Sequence, residues 1–402
     1  MVLRSLRWPG IVLVLVLVSL STSSYALASE RSPDGGGGTA GPTDESAESR
    51  ERIAARLAAS RADLMARGLL SGPRSVGPPV FEWPLRAAAT LDDPGYHAID
   101  AFVDHNASFP GGLLDYECGS RTYDTGGGYN HRGSDFFLWP FSWLKVDQSA
   151  VEVVAAAGGV IVDRVDGNFD RRCGCATDDP NLVIVEHPDG SVAWYLHLKN
   201  GSVTAKPVGS SVAAGESLGI VASSGCSSGP HLHFEVHDAG DAVVDPYDGP
   251  CNATTAASLW RQQRPYYDSA VNALATHSAP PEFPPCPQTE IPNFSDDFKL
   301  GDTMIVAVYY RDQLPGDQTG VTLYRPNGSV FDSWTHTYPG PYFAASYWYW
   351  FVDLPTGAPV GVWRFSATYR GEVHEHEFRV GLQIFVDGFE SGNTSAWSST
   401  IP

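Results

Sequence analysis

Five residues in three short segments hold most of the chemical capacity of this sequence. His131 and Asp135 lie in NHRGSD, His197 in WYLHL, and His231 and His233 in GPHLHFEV. Two imidazoles and one carboxylate suffice to hold a zinc ion while leaving a coordination position for water. Two further histidines would remain for proton transfer and for stabilising charge on a carbonyl oxygen. Those are the parts needed to hydrolyse an amide bond with metal-activated water. Taken singly, an HxxxD, a strand histidine or an HxH pair more often serves structure.

The spacing restricts how these side chains are presented. His231 and His233 lie two apart in a run that reads as a strand, so both project from one face. Gly133 and Ser134 disfavour a helix between His131 and Asp135, which places that pair on a loop leading into a strand. His197 closes an alternating run and faces the same way as Ala193 and Tyr195. From Phe81 to about Asp248 the chain reads as strands over Val151–Ala157, Gly159–Val165, Leu182–Glu186, Val192–Leu198, Ser217–Ala222 and His231–His237. Asp189-Gly190 is a hairpin signal between NLVIVEH and SVAWYLH. Helical periodicity is nearly absent, so this stretch is expected to be all-β.

Around it the composition changes several times. Residues 1–28 carry Arg4 and Arg7, an apolar run from Ile11 to Leu20 and a small-x-small Ala26-Leu27-Ala28, the pattern of a secretory signal peptide. The apolar run is too short to span a bilayer comfortably. Residues 29–79 read as a linker followed by a helix: 29–49 are Gly-, Ser- and acid-rich and are expected to be disordered. Arg50 to Leu70 sets Ile53, Leu57, Leu64 and Leu69 at helical spacing. That helix reads equally as a pro-segment over the active site or as a docking or spacer element. Residues 80–250 form the domain with the histidines. Residues 251–290 form a Pro-rich connector with a short helix around Ser258–Arg264. Residues 291–381 form a small β-sandwich-like accessory domain, and 382–402 a separate tail.

Six cysteines (118, 173, 175, 226, 251 and 286) fit an oxidising compartment, and six allow 15 pairings. A Cys173–Cys175 bridge would be strained, and a Cys226–Cys251 bridge would brace the HLH strand. The formal net charge is −20, becoming −22 once Arg4 and Arg7 leave with the leader. Such a surface repels nucleic acid and anionic membranes and keeps the chain soluble. We therefore expect an exported protein, periplasmic or extracellular, with no nucleic-acid partner and no stable membrane span, acting as a monomer.

In order along the chain, HxxxD, a strand ending YxHL and SSGxSxGPHLHFE resemble the lysostaphin/LytM-type zinc endopeptidases that cleave peptidoglycan. HRGSDFFLWP followed by VEVVAAAGGVIV resembles the first ligand strand and the next strand of that family. Gly215–Gly219 resembles its turn before the last motif, and Val244-Asp245-Pro246 its exit. The likeness covers roughly residues 80–250 and implies an antiparallel all-β catalytic domain. It also implies one zinc ion per chain on His131, Asp135 and His233, with His197 and His231 as non-ligand catalytic histidines. The implied activity is that of a metalloendopeptidase hydrolysing peptidoglycan stem peptides or cross-bridges. A silent wall-binding relative would be expected to lose some of these five residues, and all are present. The motif order also disfavours a zinc carboxypeptidase or amidase.

Two departures stand out: Asp163–Pro180, with DRRCGC, is longer than a minimal core requires, and Phe141–Gln148 reads as an insertion. Trp139, Trp143, Tyr195 and Tyr129 read as core more readily than as groove lining. His237 and the His374-Glu375-His376 repeat receive no role from the resemblance.

Overall fold

Runs of Val, Ile and aromatic residues at alternate positions build two antiparallel sheets around the histidine segments. The computed structural model describes residues 29–41, 43, 46–73, 75–125 and 127–381; the expected leader (1–28) and tail (382–402) lie outside them. Spatial order in the larger sheet is Ser211–Val212, Gly159–Val165, Leu182–Glu186, Val192–Leu196, His231–His237, Ser134–Leu138 and His97–Ile99, with Val243–Val244 also pairing the His231–His237 strand. The smaller sheet orders Ser217–Ile220, Val151–Val154 and Leu85–Ala87. The all-β expectation holds, and Gly159–Val165, Leu182–Glu186 and His231–His237 have the predicted bounds.

Because side chains alternate across a strand, the larger sheet has two unlike faces. Val183, Val185, Ala193, Tyr195, Leu232 and Phe234 face the smaller sheet and form the main core. The opposite face presents Leu182, Ile184, Val192, Trp194 and Leu196. Helix α1 (Ala47–Ala66) lies on that second face, burying Ile53, Leu57 and Leu64. Ser46 caps it, its hydroxyl accepting the Ser49 N–H at 3.1 Å. The predicted stripe is nearly right: Leu69 is exposed, and Leu70 packs in its place. The insertion at Phe141–Gln148 forms a second short helix, α2 (Ser142–Asp147). No helix forms around Ser258–Arg264; there the Phe81 N–H donates to the Leu259 carbonyl and Phe81 bridges Trp260.

The second domain is a sandwich of a six-stranded and a four-stranded sheet over a core of Trp334, Trp350, Trp363, Val306, Val308 and Phe365. Its four-stranded sheet begins with Ala270–His277, inside the stretch read as connector. It ends with Gly35–Thr39, inside the stretch expected to be disordered. The glycines are what the neighbours permit: a Cβ on Gly38 would lie 2.0 Å from the Phe343 ring and one on Gly35 2.2 Å from the Tyr349 hydroxyl. Ser29–Glu30 likewise pairs with Val330–Thr337 of the six-stranded sheet. A mostly aromatic and alanine cluster, including Phe137, Trp139 and Phe141 with Ala273, Ala307 and Tyr309, joins the two domains.

Disulfides join Cys118–Cys251, Cys173–Cys286 and Cys175–Cys226. Cys173 and Cys175 do not bridge each other, in line with the strain expected of that pair, and each has its own partner; the Cys226–Cys251 bridge suggested by the sequence does not form. Cys251 instead follows the chain back to Tyr116, whose carbonyl accepts its N–H at 2.9 Å. Among the described residues no helix is long and apolar enough to cross a membrane.

Candidate metal centre

The register of three neighbouring strands assembles the centre. His233 on the central His231–His237 strand lies opposite Asp135 on one side and Leu196 on the other. Directly opposed residues bring their side chains together on one face, so the Asp135 carboxylate meets the His233 ring. Its Oδ1 is 3.0 Å from His233 Nδ1, and its Oδ2 is 3.0 Å from His131 Nε2. The two ring nitrogens are 3.3 Å apart. His131 reaches them from the loop before the Ser134–Leu138 strand, as its sequence context predicts. A Cβ on Gly133 would lie 2.7 Å from the His233 ring, so the chain between His131 and Asp135 passes His233 only as glycine.

The outer nitrogens of both rings are committed elsewhere. His131 Nδ1–H donates to the Phe102 carbonyl at 2.7 Å, and Tyr123 stacks on the ring at 4.5 Å. His233 Nε2–H donates to Glu235 Oε2 at 2.9 Å. A carbonyl or carboxylate oxygen only accepts, so each bond fixes the tautomer and turns an unprotonated nitrogen inward. Three ligand atoms of His131, Asp135 and His233, one from each, lie within 4.8 Å of one another, and all three residues are buried. Two lone pairs and a carboxylate facing one another suit a divalent cation, and a His/His/carboxylate set suits zinc. The residues fit the ion that the sequence implied.

His197 arrives by a route the sequence did not predict. Simple alternation would send it to the core side with Ala193 and Tyr195. The strand ends at Leu196, and His197 takes a left-handed backbone with φ of 68°, which turns its ring to the site. Its Nδ1–H donates to the Ser224 carbonyl at 2.7 Å. His231 donates its Nδ1–H to the Gly229 carbonyl at 2.9 Å, and its Nε2 is 3.9 Å from Asp135 Oδ1. The two rings are 4.5 Å apart. Both carbonyls belong to the Ser- and Gly-rich turn before the HLH strand, which Cys175–Cys226 ties down. Gly225 in that turn has φ of 74°, and a Cβ there would lie 2.7 Å from the Pro180 nitrogen.

The structure thus brings all five predicted residues into one buried cluster. Of the four aromatics, Tyr195 is core, its hydroxyl accepting the Ala156 N–H at 2.7 Å, and Trp139, Trp143 and Tyr129 are buried as well. His374 and His376 lie in the sandwich strand Glu372–Val380, and His376 pairs with Asp296 at 2.8 Å. His237 is not beside the three ligand atoms, yet it is not idle: its Nε2 reaches Glu235 Oε1 at 2.5 Å.

Glu235 itself escaped the sequence reading. Its position two residues after His233 on one strand face was the available signal. Burial pushes its carboxyl pKa up, but Arg50 and His237 outweigh that and hold it well below the usual range. His237 is pushed down by burial and raised on balance by Glu235.

Known proteins resemble parts of this chain. Residues 143–246 match the model of peptidase family M23, a stretch that includes His197, His231 and His233 and begins downstream of His131 and Asp135. An uncharacterized metalloprotease of Haemophilus influenzae is 30% identical over 93 residues, 23% of this chain and 19% of that protein. The cell division protein DipM of Caulobacter vibrioides is 33% identical over 117 residues, 27% of this chain and 19% of that protein. The chain thus spans about a fifth of the length of these curated relatives. Among solved structures, the catalytic domain of the antimicrobial peptidase lysostaphin from Staphylococcus simulans is 30% identical, with 31% of this chain and 83% of that one covered at a TM-score of 0.23.

Proposed function

We propose that this chain, whose residues 143–246 match the model of peptidase family M23, is an exported metalloendopeptidase that hydrolyses stem peptides or cross-bridges of peptidoglycan. One zinc ion per chain would be held by His131, Asp135 and His233. The observation that carries the reading is the convergence of one ligand atom from each of these residues within 4.8 Å. Both ligand rings have their outer nitrogens already committed. When bound, zinc lowers the pKa of a water and polarises the scissile carbonyl.

The remaining steps belong to the protein's own groups. A neutral His231 with Nδ1–H on the Gly229 carbonyl offers Nε2 as a proton acceptor beside the ligands. It takes the proton of the attacking water and returns it to the leaving amine. His197 is set the same way, with Nδ1–H on the Ser224 carbonyl. Its Nε2 donates only as imidazolium, and in that form it stabilises negative charge developing on the carbonyl oxygen. Rings 4.5 Å apart act as one acid–base pair rather than as independent groups. Three disulfides and the leader-like first segment support export to an oxidising compartment. The sandwich would serve as an accessory domain, with the working unit a monomer.

Mass spectrometry of fragments released from several purified peptidoglycans tests the reading. The expected result is new amino and carboxyl ends at one type of peptide bond. Release of sugar fragments alone, or of nothing from any wall type by zinc-loaded protein, would overturn it.

A further inference from the structure

We propose that Arg50 of helix α1 is a positioning residue of the metal centre: through Glu235 it fixes the orientation in which His233 presents Nδ1. The inference rests on the reading of His233 as a metal ligand. It makes α1 a working part of the centre rather than a spacer beside it.

The chain of contacts is continuous and buried. His233 Nε2–H donates to Glu235 Oε2 at 2.9 Å, and Arg50 Nη1 donates to the same oxygen at 2.5 Å. Arg50 Nη2 and His237 Nε2 share the other oxygen, Oε1. The Glu235 side chain is 0% exposed and that of Arg50 is 6% exposed. Among the described residues Arg50 is the one guanidinium or ammonium in contact with Glu235. A buried carboxylate stripped of its counter-ion is strongly unfavourable, so Glu235 keeps its place under His233 only while Arg50 faces it.

The guanidinium is itself held by the catalytic domain, 5.2 Å from the Trp194 ring centroid and 5.8 Å from that of Tyr129. Trp194 stacks in turn on His237 at 4.8 Å. The planar fork matters, since both carboxylate oxygens are engaged at once and a lysine ammonium engages them singly. Partners of this kind, set behind a metal-binding imidazole, commonly govern affinity for the ion by 10–100-fold.

The helix is anchored at several further points. Arg56 pairs with Asp163 at 2.7 Å, Arg61 with Glu186 at 2.7 Å, and Ser60 Oγ donates to the Val162 carbonyl. With Ile53, Leu57 and Leu64 buried on the sheet, these contacts fix where Arg50 sits along the His231–His237 strand.

The test compares the full-length protein with R50M, R50K and the double variant R50M/E235L, which removes both buried charges together. Zinc affinity is measured by competition with a chromogenic chelator, thermal stability on metal-free protein, and the His233 tautomer by 15N NMR of metal-free protein. R50M is expected to bind zinc about 10–100-fold more weakly, and R50K to fall between it and the parent. The double variant should melt near the parent yet keep the weak affinity and lose the single His233 tautomer. Parental zinc affinity in the double variant, whatever becomes of R50M, would overturn the proposal and leave Arg50 a purely structural residue. A parent protein that binds no zinc would instead overturn the functional reading beneath it.

Discussion

Replacing His231 by alanine removes one imidazole from the centre without touching a ligand atom. Its Nε2 is 3.9 Å from Asp135 Oδ1, while His131, Asp135 and His233 contact one another directly and stay in place. Loss of a positioned general base or acid costs about 10²–10⁴-fold in rate, or roughly 3–5 kcal/mol of transition-state stabilisation. His197, 4.5 Å away, belongs to the same acid–base pair, so its removal should not add independently. The double variant His197→Ala/His231→Ala should therefore fall little below the worse single one. The assay follows soluble peptides released from purified peptidoglycan by liquid chromatography, with zinc content measured on the same preparations. Turnover within a few-fold of the parent would refute the role given to His231. Loss of zinc together with activity would refute the division into ligands and non-ligands.

Three other outcomes are expected. Protein as purified should contain one zinc per chain by elemental analysis, chelation should abolish peptide release, and His131→Ala or Asp135→Ala should lose the metal outright. Leu57→Ala, at a buried position of α1 against the sheet, should lower stability by about 2–5 kcal/mol in urea unfolding, an exposed-helix cost of a few tenths being the contrary result. His277 is held down to about 4 by burial, so above pH 6.5 it is neutral folded or unfolded and its stability contribution is complete. As pH falls toward 4 only the unfolded chain takes up the proton, and roughly 3 kcal/mol is lost; the pH slope of the unfolding midpoint should flatten in His277→Gln.

What could be read from the sequence depended on how local the determinant was. Alternation along Gly159–Val165, Leu182–Glu186 and His231–His237 is a property of each strand alone, and those bounds agree with the structure. The five residues that the structure gathers into one cluster could be picked out because their order along the chain is itself a signal. The orientation of His197 was not, because it hangs on one left-handed residue at a strand end. Glu235 and Arg50 were missed for a different reason. Glu235's place two residues after His233 on one strand face hinted at a partner for that ring, but its counter-ion lies 185 residues away and nothing around Arg50 announces the pairing. Gly35–Thr39 was misread because glycine-rich composition favours disorder in a free chain, whereas here it admits the rings of Phe343 and Tyr349. The helix around Ser258–Arg264 was overruled by the extended pairing of Phe81 with Trp260.

The Gly35–Thr39 strand also constrains how the molecule is made. Synthesis produces those five residues early, yet their partner, Phe343–Asp353, comes some three hundred residues later. Contacts of such long range slow folding and leave their participants exposed in the meantime. Until then the histidine-bearing sheet has most of its strands but the sandwich has an open edge, and a chain stopped before the partner strand would carry an orphaned glycine ribbon. Detaching the sandwich by cutting at the connector would have the same effect in reverse, baring one edge of Phe343–Asp353 to other chains. The two domains are therefore poor candidates for exchange as separate cassettes, despite looking like consecutive units along the chain.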